Sequence, residues 1–168
     1  MENGSWLERL MGMSEATWKR HASPWSVWTR TPILPLLALA VWARAWIGWW
    51  CLVPVALLVL WTFLNPRVFP APQTTDHWTS KATFGERVWL NRKNLPIPAH
   101  HANAAMILSV LSGLGLPALI YGLVVYDFWA VICGVSVVLL SKLWFLDRMV
   151  WLYEDMKDAD AKYRSWLY

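Results

Sequence analysis

Charged residues are missing from two long stretches of the sequence. No Asp, Glu, Lys or Arg occurs in residues 46–65 or in residues 102–126, and both stretches are rich in Leu, Val and Ala. Each is close to the roughly 20 residues that an α-helix needs to cross a hydrocarbon core about 30 Å thick. Because 57% of the 168 residues are hydrophobic and only 15% are charged, the composition also differs from that of a soluble domain. The sequence therefore predicts an all-α integral membrane protein.

Other scarce features exclude several classes of protein. The two cysteines, Cys51 and Cys133, both fall in apolar stretches, which excludes a disulfide framework of the secreted type. No cleavable signal peptide is expected, because the first apolar run begins only after Arg30 and lacks a small-residue cleavage pattern. The sequence also has no phosphate-binding glycine loop, no GxSxG elbow, no CxxC pair and none of the histidine spacings of membrane desaturases. Whether the protein is an enzyme, and which cofactor it uses, stays open.

Four transmembrane helices are predicted from the apolar runs and their boundaries. The expected spans are residues 24–43, 45–64, 100–125 and 128–148. Ser23 and Pro24 form a helix start, a cap residue followed by proline at the first helical position. Arg30 lies inside the first span, so a shorter helix over residues 32–43 is the alternative.

The distribution of charge predicts the orientation of these spans. Four crossings place most basic residues on one side of the membrane and only Arg44 and Asp127 in the opposite turns. By the positive-inside rule, the side with most basic residues is cytoplasmic. Both termini are therefore expected in the cytoplasm, and the protein in the inner membrane. Fifteen tryptophans suit such a protein, since their amphipathic rings favour the headgroup layer. The basic residues expected on the cytoplasmic side are Arg9, Lys19, Arg20, Arg67, Lys81, Arg87, Arg92, Lys93, Lys157, Lys162 and Arg164.

Two further helices are predicted to lie on the cytoplasmic membrane surface. Residues 5–19 and 76–91 each have an apolar stripe at helical spacing, which is typical of a helix in the interface plane. The alternative is an ordinary helix packed against protein. Residues 149–168 are expected to form a charged cytoplasmic tail.

Depth along the helices predicts one polar layer at the cytoplasmic surface. At a rise of 1.5 Å per residue, Arg30 lies about 9 Å inside the first span and Lys142 about 21 Å from the far end of the fourth. An ionisable group in a membrane needs a partner, water or a function. The residues expected in this layer are His21, Arg30, Glu86, His100, His101, Lys142, Asp147 and Arg148.

Basic residues outnumber acidic ones in this layer, which favours an anionic ligand. Arg30, Lys142 and Arg148, oriented by Asp147, are the predicted ligand-binding residues. The ligand class is a lipid phosphate or a small phosphorylated or carboxylated compound. The alternative is structural, because Arg30 and Lys142 can snorkel to the headgroups or form ion pairs.

If chemistry occurs, the candidate catalytic residues are acids and histidines of the same layer. They are His21, Glu86, His100, His101 and Asp147. A metal held by His21, one of the paired histidines and Glu86 is an alternative, but no residue is assigned as a metal or cofactor ligand. Neighbouring helical side chains point about 100° apart, so His100 and His101 are not expected to bind one ion together.

Three classes of function remain. The leading hypothesis is the binding or handling of an anionic lipid or small anion, with membrane lipids as partners and no nucleic acid. The second is a non-catalytic accessory subunit of a larger membrane complex or a homo-oligomer. The third is a small metal- or redox-dependent membrane enzyme.

Four segments carry a resemblance to a known family. HASPWSVWTR (21–30), NPRVFPAP (65–72), FGERVW (84–89) and KLWFLDRMVWLYE (142–154) resemble a family of small prokaryotic multi-pass membrane proteins of unknown function. That family shows the motifs HA(S/N)PWSVWTR and NPxxFPxP, and Ser23 is one of its two alternatives for the cap residue. The resemblance implies a multi-pass membrane protein and no particular reaction.

Overall fold

The computed structural model describes residues 13–168, and within this part every regular element is a helix. The amphipathic helix expected over residues 5–19 therefore lies largely outside the described residues, and only its end is seen, in α1. The helices are α1 (Glu15–His21), α2 (Pro24–Arg30), α3 (Ile33–Trp42), α4 (Arg44–Ile47), a 3₁₀ turn (Gly48–Cys51), α5 (Leu52–Val68), α6 (Trp78–Leu90), α7 (Ala99–Val125), α8 (Phe128–Met156) and α9 (Ala161–Arg164).

Three helical segments of the described chain are long and apolar enough to cross a membrane. They are Pro24–Val68, Ala99–Val125 and Phe128–Met156. The last two coincide with the third and fourth expected spans, whereas the first two expected spans fall together in Pro24–Val68. Their length and composition make the chain compatible with a membrane protein.

The Pro24–Val68 segment doubles back on itself. Its helix α3 packs along α5, and the hydroxyl of Ser26 donates a hydrogen bond of 2.7 Å to Oδ1 of Asn65, 39 residues later. The reversal occurs at Gly48, whose φ of +55° is a conformation that glycine adopts most readily. The returning helix consequently begins at Leu52 rather than at residue 45.

The helix α6 is enclosed by its own chain. Each of its residues is buried or only partly exposed, and it packs against α8. At the closest approach, a Cβ on Gly85 would overlap the main-chain carbonyl of Met149. Around this contact, Phe84, Val88 and Tyr153 are part of the largest buried apolar cluster. The helix expected over residues 76–91 thus forms, but its apolar face packs on protein, and a position on the membrane surface is not confirmed.

The carboxyl-terminal residues also fold back onto the helices. Helix α8 continues to Met156, eight residues beyond the expected end of the span. The Tyr153 hydroxyl donates a hydrogen bond of 3.0 Å to the carbonyl of Tyr163. The main chains of Thr75 and Tyr168 are tied together, since the Thr75 N–H donates to the Tyr168 carbonyl at 2.8 Å. Residues 149–168 are therefore a packed part of the fold.

Candidate functional site

A cavity of about 190 Å³ lies between the α2–α3 arm and α8, with α6 at its side. Four ionisable residues of the predicted polar layer line it: His21, Arg30, Glu86 and Lys142. The rest of the wall is largely aliphatic. Its apolar residues are Val27, Leu34, Val138, Leu139, Leu143 and Leu146.

A chain of hydrogen bonds holds His21 beside this cavity. The guanidinium of Arg30 donates to Nε2 of His21 at 2.9 Å. Because a guanidinium can only donate, Nε2 must be the unprotonated nitrogen, and the ring proton lies on Nδ1. That Nδ1–H then donates to the hydroxyl of Ser26, also at 2.9 Å. The imidazole is thus fixed in one tautomer and one orientation.

The same chain continues into the returning helix α5. The Ser26 hydroxyl donates to Oδ1 of Asn65, whose amide donates to the Thr29 hydroxyl at 2.8 Å. Thr29 finally donates to the carbonyl of Trp25 at 2.6 Å. Ser26 and Asn65 are fully buried, and unpaired polar groups at such positions would be costly. This network gives a structural role to polar residues of the 21–30 and 65–72 segments, namely His21, Ser26, Thr29, Arg30 and Asn65.

Burial and the neighbouring charge keep His21 neutral. Burial, followed by the positive charge of Arg30, lowers the pKa of His21 to about 4. At neutral pH the imidazole is therefore an acceptor for Arg30 and a donor to Ser26. Its role in this geometry is to position the guanidinium.

The cavity has an excess of positive charge. Nζ of Lys142 lies 2.8 Å from Oε1 of Glu86. Burial raises the pKa of Glu86, but the Lys142 ammonium, together with smaller effects of His21 and Arg30, holds it below its usual value. Arg30 has no carboxylate partner among residues 13–168. Two cations therefore face one carboxylate at the polar end of the cavity.

Comparison with known proteins places the chain in a family. The family described as "Family of unknown function (DUF6653)" matches residues 4–166, nearly the whole chain. The chain belongs to the DUF6653 family. No curated protein and no solved structure matches it. The family resemblance seen in the sequence is thus confirmed, and since the family has no assigned activity, the function of this DUF6653 protein has to be inferred from its site.

Two of the predicted ligand residues lie away from the cavity wall of the DUF6653 protein. Asp147 accepts a hydrogen bond of 3.1 Å from the indole Nε1 of Trp78. Nε of Arg148 is buried and has no hydrogen-bond partner within the described part of the chain. Of the four predicted ligand-binding residues, the structure brings Arg30 and Lys142 to the cavity and leaves Asp147 and Arg148 outside it.

The paired histidines form a separate cluster. Nε2 of His101 lies 2.7 Å from Oδ2 of Asp155, and Nε2 of His100 lies 3.9 Å from the same oxygen. Asp155 follows Lys142 by thirteen residues on α8, which separates the two along the helix by about 20 Å. The single polar layer expected from the sequence is therefore divided into a cavity group and a histidine–aspartate group, and the structure does not bring His21, Glu86 and a paired histidine together.

Sequence reasoning missed the residues that support the site. Ser26, Thr29 and Asn65 were predicted for no role, although each lies within a recognised motif. Buried polar groups are ordinarily hydrogen-bonded, but the sequence does not show that Ser26 and Asn65 are buried or that they meet across 39 residues. Asp155 is one of four acids, with Glu86, Asp147 and Glu154, that together with the histidines invite a metal-site interpretation of the sequence, but the sequence does not single it out as the partner of His101.

Proposed function

We propose that this protein binds an anionic amphiphile, with a phosphate or carboxylate headgroup held between Arg30 and Lys142. The observation that carries the proposal is the cavity that joins a cationic end to an aliphatic wall. The partly exposed Arg30 and Lys142 outnumber the single carboxylate that lines the cavity, Glu86, so the cavity can accept an anion.

The geometry of the walls supports an amphiphile rather than a simple ion. Leu34 follows Arg30 by four residues, in the first turn of α3, and Val138 precedes Lys142 by one turn on the facing helix. Val138 therefore lies about 6 Å from Lys142 along α8, toward the end of the bundle that carries the hairpin tip. An acyl or prenyl chain can occupy this part of the cavity while its headgroup contacts the two cations.

The two cations bind the headgroup in different ways. His21 holds one N–H of Arg30, which leaves the other guanidinium donors for a planar or tetrahedral anion. Lys142 forms an ion pair with Glu86. Its side chain is 51% exposed, so its ammonium group can move between the carboxylate and the ligand. The planar guanidinium of Arg30 therefore orients the headgroup, whereas the flexible side chain of Lys142 brings a positive charge to it.

The proposal includes four membrane crossings with both termini in the cytoplasm of a prokaryotic cell, and the protein in its inner membrane. It is supported by the hairpin of Pro24–Val68, whose tip carries Gly48, and by the basic residues near its open end. A reporter that works only in the cytoplasm should be active when it is fused after Tyr168. A reporter that works only outside the cytoplasm should be active when it is inserted at Gly48. The same location for both reporters would contradict four crossings.

Native mass spectrometry of the detergent-purified protein tests the ligand. Wild-type protein is expected to retain an anionic lipid or a small anionic amphiphile. Arg30→Ala and Lys142→Ala each remove charge-assisted hydrogen bonds, so occupancy is expected to fall roughly 10-fold or more. Lys93→Ala removes an exposed lysine outside the cavity and serves as the matched control. Equal occupancy in all four proteins would overturn the proposal.

A further inference from the structure

We infer that His100, His101 and Asp155 form a binding site for a divalent transition-metal ion, best matched by Zn²⁺. The site lies where the first turn of α7 meets the last turns of α8. Asp155 is about 20 Å along α8 from Lys142, and the site shares no residue with the cavity, so it does not depend on the anionic-ligand proposal.

The ligand atoms are already gathered at this point. One nitrogen from each imidazole and one oxygen of Asp155 lie within 4.8 Å of one another. Zinc bonds of about 2.0–2.2 Å place tetrahedral ligand atoms about 3.3 Å apart. The distances of 2.7 Å and 3.9 Å to the aspartate oxygen lie on either side of this value. Side-chain adjustments of about 1 Å therefore suffice to surround an ion.

Neighbouring side chains on a helix normally point apart, but the rings of His100 and His101 lie close together in this structure. The two imidazole rings lie with their centroids 4.1 Å apart, directly after Pro98 at the start of α7. His101 is 2% exposed, which fixes one ligand, whereas His100 is 63% exposed and free to turn toward it. Adjacent helical histidines are not expected to bind one ion together because their side chains diverge, but here the two rings lie close enough for the ligand atoms to converge.

The neighbouring charges leave Asp155 available. Glu154, the adjacent acid, is paired with Lys81 and Lys157 at 2.7 Å and 2.6 Å. Asp155 instead faces the two imidazoles and is 50% exposed. Two histidines and one carboxylate are a ligand set that suits zinc, and the exposed face leaves a position for water.

The environment of His101 predicts a moderate affinity. Its Nδ1 is buried and has no hydrogen-bond partner within residues 13–168. Metal-bound histidines ordinarily donate this second N–H to an acceptor, and the loss of such a partner typically costs 10–100-fold in affinity. We therefore expect binding that is weaker than that of a zinc site with a complete outer shell.

Metal analysis of tag-free protein tests this inference. Protein equilibrated with micromolar Zn²⁺ and then passed through a desalting column is expected to carry one zinc per chain. His100→Ala and Asp155→Asn each remove a ligand, so apparent affinity should fall about 100-fold or more. His77→Ala removes an exposed histidine elsewhere and should leave the zinc content unchanged. The absence of stoichiometric zinc in the wild type, or its full retention in both site variants, would overturn the inference.

A second measurement separates metal binding from folding. The amide oxygen of Asp155→Asn can still accept the hydrogen bond of His101, so the metal-free variant should melt at the wild-type temperature. Added Zn²⁺ should then raise the melting temperature of the wild type and not that of the variant. Co²⁺ should give the visible bands of a tetrahedral site only in the wild type. An equal zinc-induced shift in both proteins would also contradict the site.

Discussion

The two ends of the helical bundle use their charges differently. At the end that carries the hairpin tip, Arg44 donates to the carbonyls of Leu123 and Val124 and its guanidinium lies 4.5 Å from the Tyr126 ring centroid. Asp127 caps α8 by accepting from the Ala130 N–H. Both charges complement helix ends, as the helix dipole favours.

At the opposite end, three charged residues face a cavity: Arg30, Glu86 and Lys142. Arg30 donates a hydrogen bond to the neutral His21. Lys142 forms an ion pair with Glu86, and both of these residues line the cavity. Charges that complete helix termini serve the fold and leave nothing for a ligand. The surplus at the cavity end is therefore the feature that distinguishes a binding site from structural capping, and the predictions below test that difference.

The largest effect is expected from Gly85→Ala. The added methyl would overlap the carbonyl of Met149, separate α6 from α8 and displace Glu86 from the cavity. A loss of about 3 kcal/mol or more in the free energy of unfolding is expected. Thermal unfolding followed by circular dichroism measures it. Gly113→Ala, where an added Cβ meets nothing within 4 Å, is the control and should not destabilise the protein. Similar melting temperatures for both variants would show that the α6–α8 contact is not tight.

The second-largest effect is expected from acidification, which should lower the free energy of unfolding through His21 at the cavity end. The unfolded chain protonates histidine near pH 6.5, whereas His21 in the folded protein has a pKa of about 4. The contribution of neutral His21 is complete above pH 6.5 and is lost progressively as the pH falls toward 4. Between pH 7 and pH 5 this amounts to about 2 kcal/mol.

Unfolding measured across this pH range in wild type and His21→Gln checks the assignment. The variant should lose most of the pH dependence between pH 7 and pH 5, whereas His77→Ala, which removes an exposed histidine, should keep it. An unchanged slope in His21→Gln would mean that His21 is not the buried neutral group described.

Asn65→Ala is expected to have an intermediate effect. The substitution leaves the buried Ser26 hydroxyl without its acceptor and Thr29 without its donor. A destabilisation of about 2 kcal/mol is expected, because the fully buried Ser26 hydroxyl is left without an acceptor. Asn94→Ala at an exposed position should stay within about 0.5 kcal/mol. Equal free energies of unfolding in the two variants would contradict the claim that this hydrogen-bond network holds α2 and α5 together.

Arg44→Ala should have the smallest effect. Loss of a cation at the carboxyl end of α7 is expected to cost about 1 kcal/mol. Since Arg44 lies at the end opposite the cavity, retention of the anionic ligand in native mass spectrometry should be unchanged. A loss of ligand comparable to that of Arg30→Ala would erase the distinction between the two ends.

Much of the architecture follows from one-dimensional properties of the sequence. Uncharged runs of sufficient length locate the apolar helices, and the rise per residue puts Arg30 and Lys142 at a common level, next to the helix that carries Glu86. That level is where the cavity lies. Depth, however, says nothing about direction around a helix axis. For this reason the sequence could not separate Asp147 from the cavity group. The histidine pair is separated in another way, along α8, because it contacts Asp155, thirteen residues after Lys142.

Two other features depend on tertiary packing. An apolar stripe has the same pattern whether it faces lipid or protein, so the enclosure of α6 could not be read from residues 76–91. The returning helix begins at Leu52 because Gly48 adopts a positive φ, and the sequence does not show which residue of a run such as 44–51 turns.

Site-specific photocrosslinking tests the central claim most directly. A small diazirine side chain at position 139 lies in the cavity wall, whereas one at the neighbouring Leu140, which is 65% exposed, faces outward from the bundle. In bilayers of mixed composition, adducts at Leu139 should be several-fold enriched in anionic amphiphiles, and adducts at Leu140 should match the bulk lipid. The same adducts in the same proportions at both positions would contradict an anion-selective cavity.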